Sequence, residues 1–369
     1  MNNMKKILIM AGGTGGHVFP GLAVADELTS GDEPWDVLWL GTRERMEADL
    51  VPRHGYPIEF IKVQGIRRNG LARKLMAPFM IIRAVAEAIS LLRKYRPDVV
   101  LGMGGYASGP GGLAARLLGI PLVLHEQNAA PGLTNRLLSH IANRILLGFP
   151  EAIKSSKAEF VGNPVRKVIA ALHDELPKDF SGSELRVLVV GGSLGAQALN
   201  ERVPGAVKMA LDSGVRIKVF HQTGKGNSEE VRKLYSSLGV PDGVCEVSDF
   251  INDMAGAYRA NHLIVCRAGA LTSAEIGACG MPAVFVPLPT AVDDHQTKNA
   301  RCFSDNGAGI TMPQTELTAE SLSRYFRDFE SHREKLADIS EKAQSRTRLD
   351  SAEKIAAICR SLATRENSR

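Results

Sequence analysis

Short apolar runs alternate with helix-like segments along almost the whole chain. In the first half, Lys6–Met10, Val37–Leu40, Ile58–Ile61, Asp98–Leu101, Leu122–His125 and Ile145–Leu147 each read as a buried strand. Each is bounded by Gly, Pro or a segment of helical period, the signature of βαβ units and a parallel sheet. The alternation pauses near Phe160-Val161-Gly162-Asn163-Pro164, and a polar stretch, Lys178–Glu184, follows. It restarts with Arg186–Val190, Arg216–Gln222, Val244–Val247, Leu263–Cys266, Ala283–Val286 and Ala308–Thr311. The two starts are alike: Ile7–Ala11 leads into Gly12-Gly13, and Arg186–Val190 leads into Gly191-Gly192. The pattern predicts an α/β protein of two Rossmann-like, doubly wound domains, residues 1–163 and 164–342, facing each other across a cleft. In such sheets ligands bind at the carboxyl ends of the strands. From Glu320 onward both charges recur at helical spacing and glycine disappears. The final segment, 343–369, is expected to be a helical tail docking on the first domain.

Composition narrows the function classes. Of 369 residues, 44% are hydrophobic and 23% charged, which excludes a disordered, collagen-like or coiled-coil chain. No apolar stretch approaches the roughly 20 residues a spanning helix needs. The N-terminal MNNMKKILIMAGG has an apolar run too short for a signal-peptide core, so a cytosolic location is expected. Five cysteines form no C-x-x-C pair, and neither a disulfide framework nor a zinc site is indicated. A net charge of +5 is too mild to imply nucleic acid. Its distribution is uneven, however. Between Gly65 and Arg96 there are eight basic residues and one acidic residue, Glu87.

The candidate chemistry lies in glycine-rich turns that follow strands. Gly12-Gly13-Thr14-Gly15-Gly16-His17 has four glycines in its first five residues, more than a tight strand–helix turn requires. Glycine lets a ligand approach the backbone, and a helix start offers unpaired N–H groups. A helix is predicted over Gly21–Leu28. The spacing is not G-x-G-x-x-G, and no acidic residue ends the second strand, so a nicotinamide site is disfavoured. Gly102–Gly112, with six glycines in eleven residues, reads as an irregular binding loop rather than regular structure. Gly191–Ala196 opens a helix in the second half, where Ser193 could bond a phosphate or cap the helix. In Arg267–Glu275 a helix should begin near Leu271. Glu275, one turn in, would serve either as a dipole partner or as an acceptor for ribose hydroxyls. No D-x-D pair occurs. A bound diphosphate would therefore be neutralised by helix N-termini and Arg166 rather than through a metal, and no metal or other cofactor is expected.

Taken in order, Gly12–Pro20, Gly104-Gly105-Tyr106, His125-Glu126-Gln127-Asn128, Asn163-Pro164-Val165-Arg166, Gly191–Ala196 and Arg267–Glu275 resemble the MurG family of bacterial transferases. That family adds N-acetylglucosamine (GlcNAc) from UDP-GlcNAc to lipid I, undecaprenyl-pyrophosphoryl-MurNAc-pentapeptide, making lipid II for peptidoglycan. The resemblance runs from about Lys6 to the C-terminal helix. It implies a GT-B glycosyltransferase fold, with the acceptor on the first domain and the donor on the second. It also implies inverting hexosyl transfer. The implied donor contacts are Thr14, Gly15 and Gly16 near the diphosphate and sugar, Asn128 on the sugar, and Arg166 and Ser193 on the phosphates. Ile251 would meet uracil through its backbone. Ala270, Leu271, Thr272, Ser273, Ala274 and Glu275 would cover the nucleotide, and Gln296 would read the sugar hydroxyls. Gly104, Gly105 and Tyr106 fall on the acceptor side. A UDP-GlcNAc 2-epimerase of similar fold is the alternative reading.

Inverting transfer needs a base for the acceptor proton. His17 is the first candidate: its reference pKa of about 6.5 leaves it mostly neutral near pH 7, and a helix N-terminus disfavours the imidazolium. The other readings are that His17 only hydrogen-bonds the loop and that Glu126 is the base. The lipid-linked acceptor further implies a peripheral protein on the cytoplasmic face of the inner membrane. Its basic segment would attract anionic lipid, with Leu75, Phe79 and Met80 entering the interface. The alternative reading is that Ile81, Ile82, Val85, Ile89 and Leu92 pack inward and the cations are only solvated. Cell-wall synthesis and division proteins are the further partners such a family suggests.

Overall fold

A computed structural model describes residues 4–31, 33–63, 71–175, 178–192 and 195–365, with the backbone alone for 71–77 and 364–365. The chain divides into two compact units. The first comprises Met1–Val165 and Arg348–Arg369, and the second Arg166–Thr347.

In the first unit, β1 (Lys6–Ala11), β2 (Asp36–Gly41), β3 (Ile58–Phe60), β4 (Val99–Gly104), β5 (Leu122–Glu126), β6 (Arg144–Leu147) and β7 (Ala158–Phe160) form one parallel sheet in the order β3-β2-β1-β4-β5-β6-β7. Alternate residues of the central strands serve opposite faces, as the period of two requires. Ile7, Ile9 and Ala11 join Leu101 and Met103 beneath the helix Gly15–Thr29. Leu8 and Met10 join Val100 and Leu124 beneath Leu71–Tyr95 and Ser108–Leu117. The last helix, Ser351–Arg365, belongs to the first of these cores: Ile355, Ala356 and Cys359 are fully buried there, and Arg360 donates to the Glu27 carbonyl at 2.8 Å.

The second unit repeats the plan. Its strands β8 (Leu185–Val190), β9 (Ile217–Gln222), β10 (Cys245–Ser248), β11 (Leu263–Cys266), β12 (Ala283–Phe285) and β13 (Ile310–Thr311) lie in the order β10-β9-β8-β11-β12-β13. In each unit the strand order reverses beside the first strand, between β1 and β4 and between β8 and β11. The glycine turns after those four strands sit at the switch points, where this architecture binds ligands.

Four expectations need correction. β7 lies outside the sequence reading: it is a three-residue edge strand in which only Phe160 is a large apolar residue. The first helix begins at Gly15, not Gly21, so Gly15, Gly16 and His17 form its first turn. The stretch Gly102–Gly112 is largely regular, because β4 runs to Gly104 and Ser108–Leu117 is helical. Its helical glycines permit close packing: a Cβ on Gly111 would collide with Met10 Sδ and lie 3.0 Å from Leu40 Cδ2. Pro110 is tolerated in the first turn, where its missing N–H would have had no helical partner. Finally, Ile81 and Ile82 do not pack inward and are 42% and 66% exposed, whereas Val85 and Leu92 are buried.

Candidate active site

In the first unit the β1 turn and the β4 turn touch. A Cβ on Gly105 would lie 2.5 Å from the Gly12 carbonyl oxygen, and Gly105 has φ +93°. Only glycine satisfies both the conformation and the contact. Gly104, at φ +108°, faces the imidazole of His17: a Cβ there would lie 2.9 Å from Nε2. Thr14 is the N-cap residue, extended at φ −136°, and its side chain caps nothing. His17 Nδ1 lies 3.1 Å from the Gly12 carbonyl oxygen. A carbonyl only accepts, so Nδ1 carries the hydrogen and the neutral ring presents its lone pair at Nε2. Tyr106 is 43% exposed.

The His125–Asn128 segment has a different character. His125 is buried and donates from Nε2 to the Gly162 carbonyl at 2.9 Å, while Nδ1 accepts from the Gln127 amide at 3.0 Å. Burial first, and His17 nearby, depress its pKa to about 4 against the opposing Gly162 bond, so it stays neutral at pH 7. Glu126 is 2% exposed. Its Oε1 accepts from the Asn128 backbone and side-chain amides at 3.0 and 3.3 Å, and its Oε2 from Gly132 N–H and Asn135 Nδ2 at 3.1 and 3.0 Å. Four donors commit both oxygens. The carboxylate knits the turn that carries Asn128, which argues for a positioning role and against proton transfer.

A carboxylate that sequence reading missed performs the same service for the β1 turn. Glu47, 1% exposed, accepts Gly13 N–H at 3.0 Å on Oε2 and Thr42 N–H and Oγ1 at 3.0 and 2.8 Å on Oε1. An acid does stand at the end of β2, but it arrives from six residues beyond Gly41 and faces the protein's own backbone. Nothing in local sequence marks it.

In the second unit, Arg166 and Glu275 converge. Arg166 Nε donates to Glu275 Oε1 at 2.7 Å, and the hydroxyl of buried Tyr258 donates to Oε2 at 3.2 Å. Partial burial opposes the Arg166 cation, but Glu275 outweighs it and raises the pKa. Burial, then the Glu275 charge, pushes Tyr258 well up, so it remains a donor. Tyr258 is a second site residue without a sequence signal. Each Glu275 oxygen keeps a second lone pair for a hydroxyl donor. Glu275 stands on the helix Ala270–Ala278, whose N-cap is Gly269. Ala270, Ser273 and Ala274 are buried, while Leu271 and Thr272 are partly exposed. A ligand over this turn therefore meets mostly backbone at the buried positions.

The remaining predicted contacts of the second unit lie on other elements. Ile251 is 6% exposed, beside Phe250 at 63%. Gln296 opens the helix His295–Ser304 and accepts from Leu288 N–H at 3.0 Å. The two residues before that helix, Asp293 and Asp294, both hold φ +54°, a left-handed conformation that Asp tolerates better than most side chains. Gly192 is clasped by the Gln222 amide at 3.0 and 2.9 Å. Ser193 lies outside the described residues.

Residues 7–147 match the glycosyltransferase family 28 N-terminal domain, and residues 186–355 match its C-terminal domain. The UDP-N-acetylglucosamine–N-acetylmuramyl-(pentapeptide) pyrophosphoryl-undecaprenol N-acetylglucosamine transferase of Aeromonas hydrophila is 55% identical over 98% of both chains. That of Tolumonas auensis is 53% identical over 97% of this chain and 99% of its own. The crystal structure of Acinetobacter baumannii MurG superposes with a TM-score of 0.82 at 40% identity, covering 97% of this chain and 99% of that one. A UDP-GlcNAc 2-epimerase of Neisseria meningitidis reaches 0.63 at 14% identity, covering 97% of this chain and 100% of that one, which is a likeness of fold. The chain belongs to glycosyltransferase family 28 and, within it, to the MurG family of N-acetylglucosamine transferases.

Proposed function

We propose that this chain transfers GlcNAc from UDP-GlcNAc to the lipid-linked N-acetylmuramyl pentapeptide, inverting an α-linked donor into a β-1,4 link. The observation that carries this reading is full-length identity above half with transferases of that activity. The Arg166–Glu275–Tyr258 cluster supports it, being suited to nucleotide hydroxyls. In the proposed step His17 Nε2 takes the proton of the attacking sugar hydroxyl. That oxygen bonds to C1 of GlcNAc as the bond from C1 to the diphosphate breaks, and UDP leaves with the electron pair. Gly15 and Gly16 bring their N–H groups to the donor, Asn128 reads its sugar, and Ser193 and the helix after it receive the departing charge. Gln296 reads the remaining hydroxyls. The test is incubation with labelled UDP-GlcNAc, with and without a lipid I analogue. Acceptor-dependent UDP release is expected; UDP-ManNAc formed without acceptor would make the protein an epimerase instead.

The acceptor's anchor places this chemistry at a bilayer surface. No helix among the described residues is long and apolar enough to cross a membrane. A peripheral face is supported by Phe79 at 76%, Ile82 at 66%, Leu117 at 62% and Leu137 at 61% exposure. They lie on three helices packed side by side, Leu71–Tyr95, Ser108–Leu117 and Leu133–Leu138. Exposed Arg83, Arg93, Lys94, Arg116 and Arg136 accompany them, each worth about 1 kcal/mol near an anionic surface. Met80 is partly exposed, and the Leu75 side chain lies outside the described residues. Attachment to the cytoplasmic face of the inner membrane is the reading this supports, with cell-wall synthesis and division proteins as further partners.

A further inference from the structure

The loop Thr42–Met46, between β2 and the helix Glu47–Arg53, carries two exposed arginines that the proposed chemistry leaves unused. The Arg45 guanidinium sits 5.7 Å from the centroid of the Tyr106 ring, and that of Arg43 sits 4.9 Å from the centroid of Phe60. A guanidinium over an aromatic face gains cation–π attraction while its N–H fork stays available to an oxyanion. No carboxylate pairs with either arginine among the described residues, not even Glu44 between them. The loop itself is held: Glu47 binds Thr42 at one end and Gly13 of the β1 turn at the other.

We propose that Arg45, with Arg43 behind it, is the subsite that takes the diphosphate of the lipid-linked acceptor. This rests on the transferase reading above and names the group that reads the acceptor's charge. Contacts run from His17 through Gly104 and Gly105 to Tyr106 and then Arg45. An acceptor with its attacking hydroxyl at His17 Nε2 would carry its anomeric phosphate one sugar ring away, on the Tyr106 side. The chain has no D-x-D pair, and no group of His, Cys, Asp and Glu suited to a metal occurs among the described residues. Fixed guanidinium groups are the matching countercharge, and a planar fork binds phosphate oxygens in pairs. Exposed Phe19 and Met46, both beside Gly15, border the same turn.

The test compares wild type with Arg45→Ala, Arg45→Lys and Arg43→Ala. Binding is measured by titration calorimetry with two soluble acceptor analogues, N-acetylmuramyl pentapeptide carrying a short prenyl diphosphate and the same compound without the diphosphate. Steady-state kinetics are measured in parallel. Arg45→Ala should weaken the diphosphate analogue at least tenfold and raise its KM to match. The diphosphate-free analogue and the donor KM should change less than twofold. Arg45→Lys should recover only part, because an ammonium lacks the planar fork, and Arg43→Ala should cost less than Arg45→Ala. Equal weakening of both analogues, an unchanged affinity for the diphosphate analogue, or a rise in donor KM instead would overturn the assignment. The binding arm decides it even if wild type transfers no sugar, an outcome that would count against the transferase reading alone.

Discussion

At the scale of single residues, the two buried carboxylates of the first unit differ from His17. Glu126 and Glu47 have their oxygens filled by protein donors, whereas His17, with Nδ1 on the Gly12 carbonyl, sits in the first helical turn against Gly104. His17→Ala should therefore lower kcat by about 10²–10⁴-fold, the usual worth of a general base. The donor KM should stay nearly constant, and the acid limb of the pH profile should disappear. A loss under about tenfold with that limb intact would return His17 to a loop-bonding role. Glu275→Ala should act on the other variable. It removes an acceptor of charge-assisted bonds worth about 1.5–3 kcal/mol each, so the donor KM should rise steeply and kcat change little. Because Arg166 and Glu275 are paired, Arg166→Ala combined with Glu275→Ala should cost clearly less than the two separate losses added together. Additive losses would mean that the two side chains meet the donor independently.

At the scale of elements, the glycine turns work through close approach more than through mobility. Gly105→Ala should be severe. Its Cβ meets the Gly12 backbone, which cannot swing aside, and φ +93° is strained for any L side chain. A destabilisation above about 2 kcal/mol is expected in urea titration, and retention of wild-type stability would mean that the β1 and β4 turns separate easily. The exposed apolar face is the other element-level feature. Phe79→Ser with Ile82→Ser should reduce co-sedimentation with anionic vesicles while leaving the melting temperature unchanged, since both side chains are largely exposed. Equal binding of wild type to neutral and anionic vesicles would remove the basic rim from the explanation.

At the scale of the whole molecule, each unit buries a histidine in its neutral form. Burial lowers His125 to about 4 and His221 to about 3. In the unfolded chain both return to about 6.5, so between roughly pH 6.5 and 4 the unfolded state binds more protons than the native one. Stability is then full above pH 6.5 and falls as pH drops, by on the order of 3 kcal/mol for His125 alone. Urea titrations at pH 7.5, 6.0 and 5.0 should show the decline before carboxylates begin to titrate. A flat profile over that range would mean that the histidines become solvated without unfolding.

The strand–turn–helix alternation was legible from sequence because it is local. Buried parallel strands need apolar runs, and their turns need glycine, so twelve strands and the four glycine-bearing turns could be read without knowing what packs where. Tandem doubly wound units followed from the repeat of that local pattern, and the ordered set of motifs identified the family. What sequence left open depends on contacts between distant positions. Glu47 reaches the β1 turn across 34 residues, and Arg166 meets Glu275 across 109. For Ser351–Arg365, where docking on the first unit was expected, periodicity supplied the helix but not the burial of Ile355, Ala356 and Cys359 that holds it there. Glycines read as an irregular binding loop lie partly in a helix, and the side chains beside Gly111 and Gly112 leave no room for a Cβ there. Period and composition report the environment each residue prefers. Which partner satisfies a buried carboxylate, and whether a glycine serves a turn or a close contact, is decided only when the sheets assemble and bring those positions within hydrogen-bonding reach.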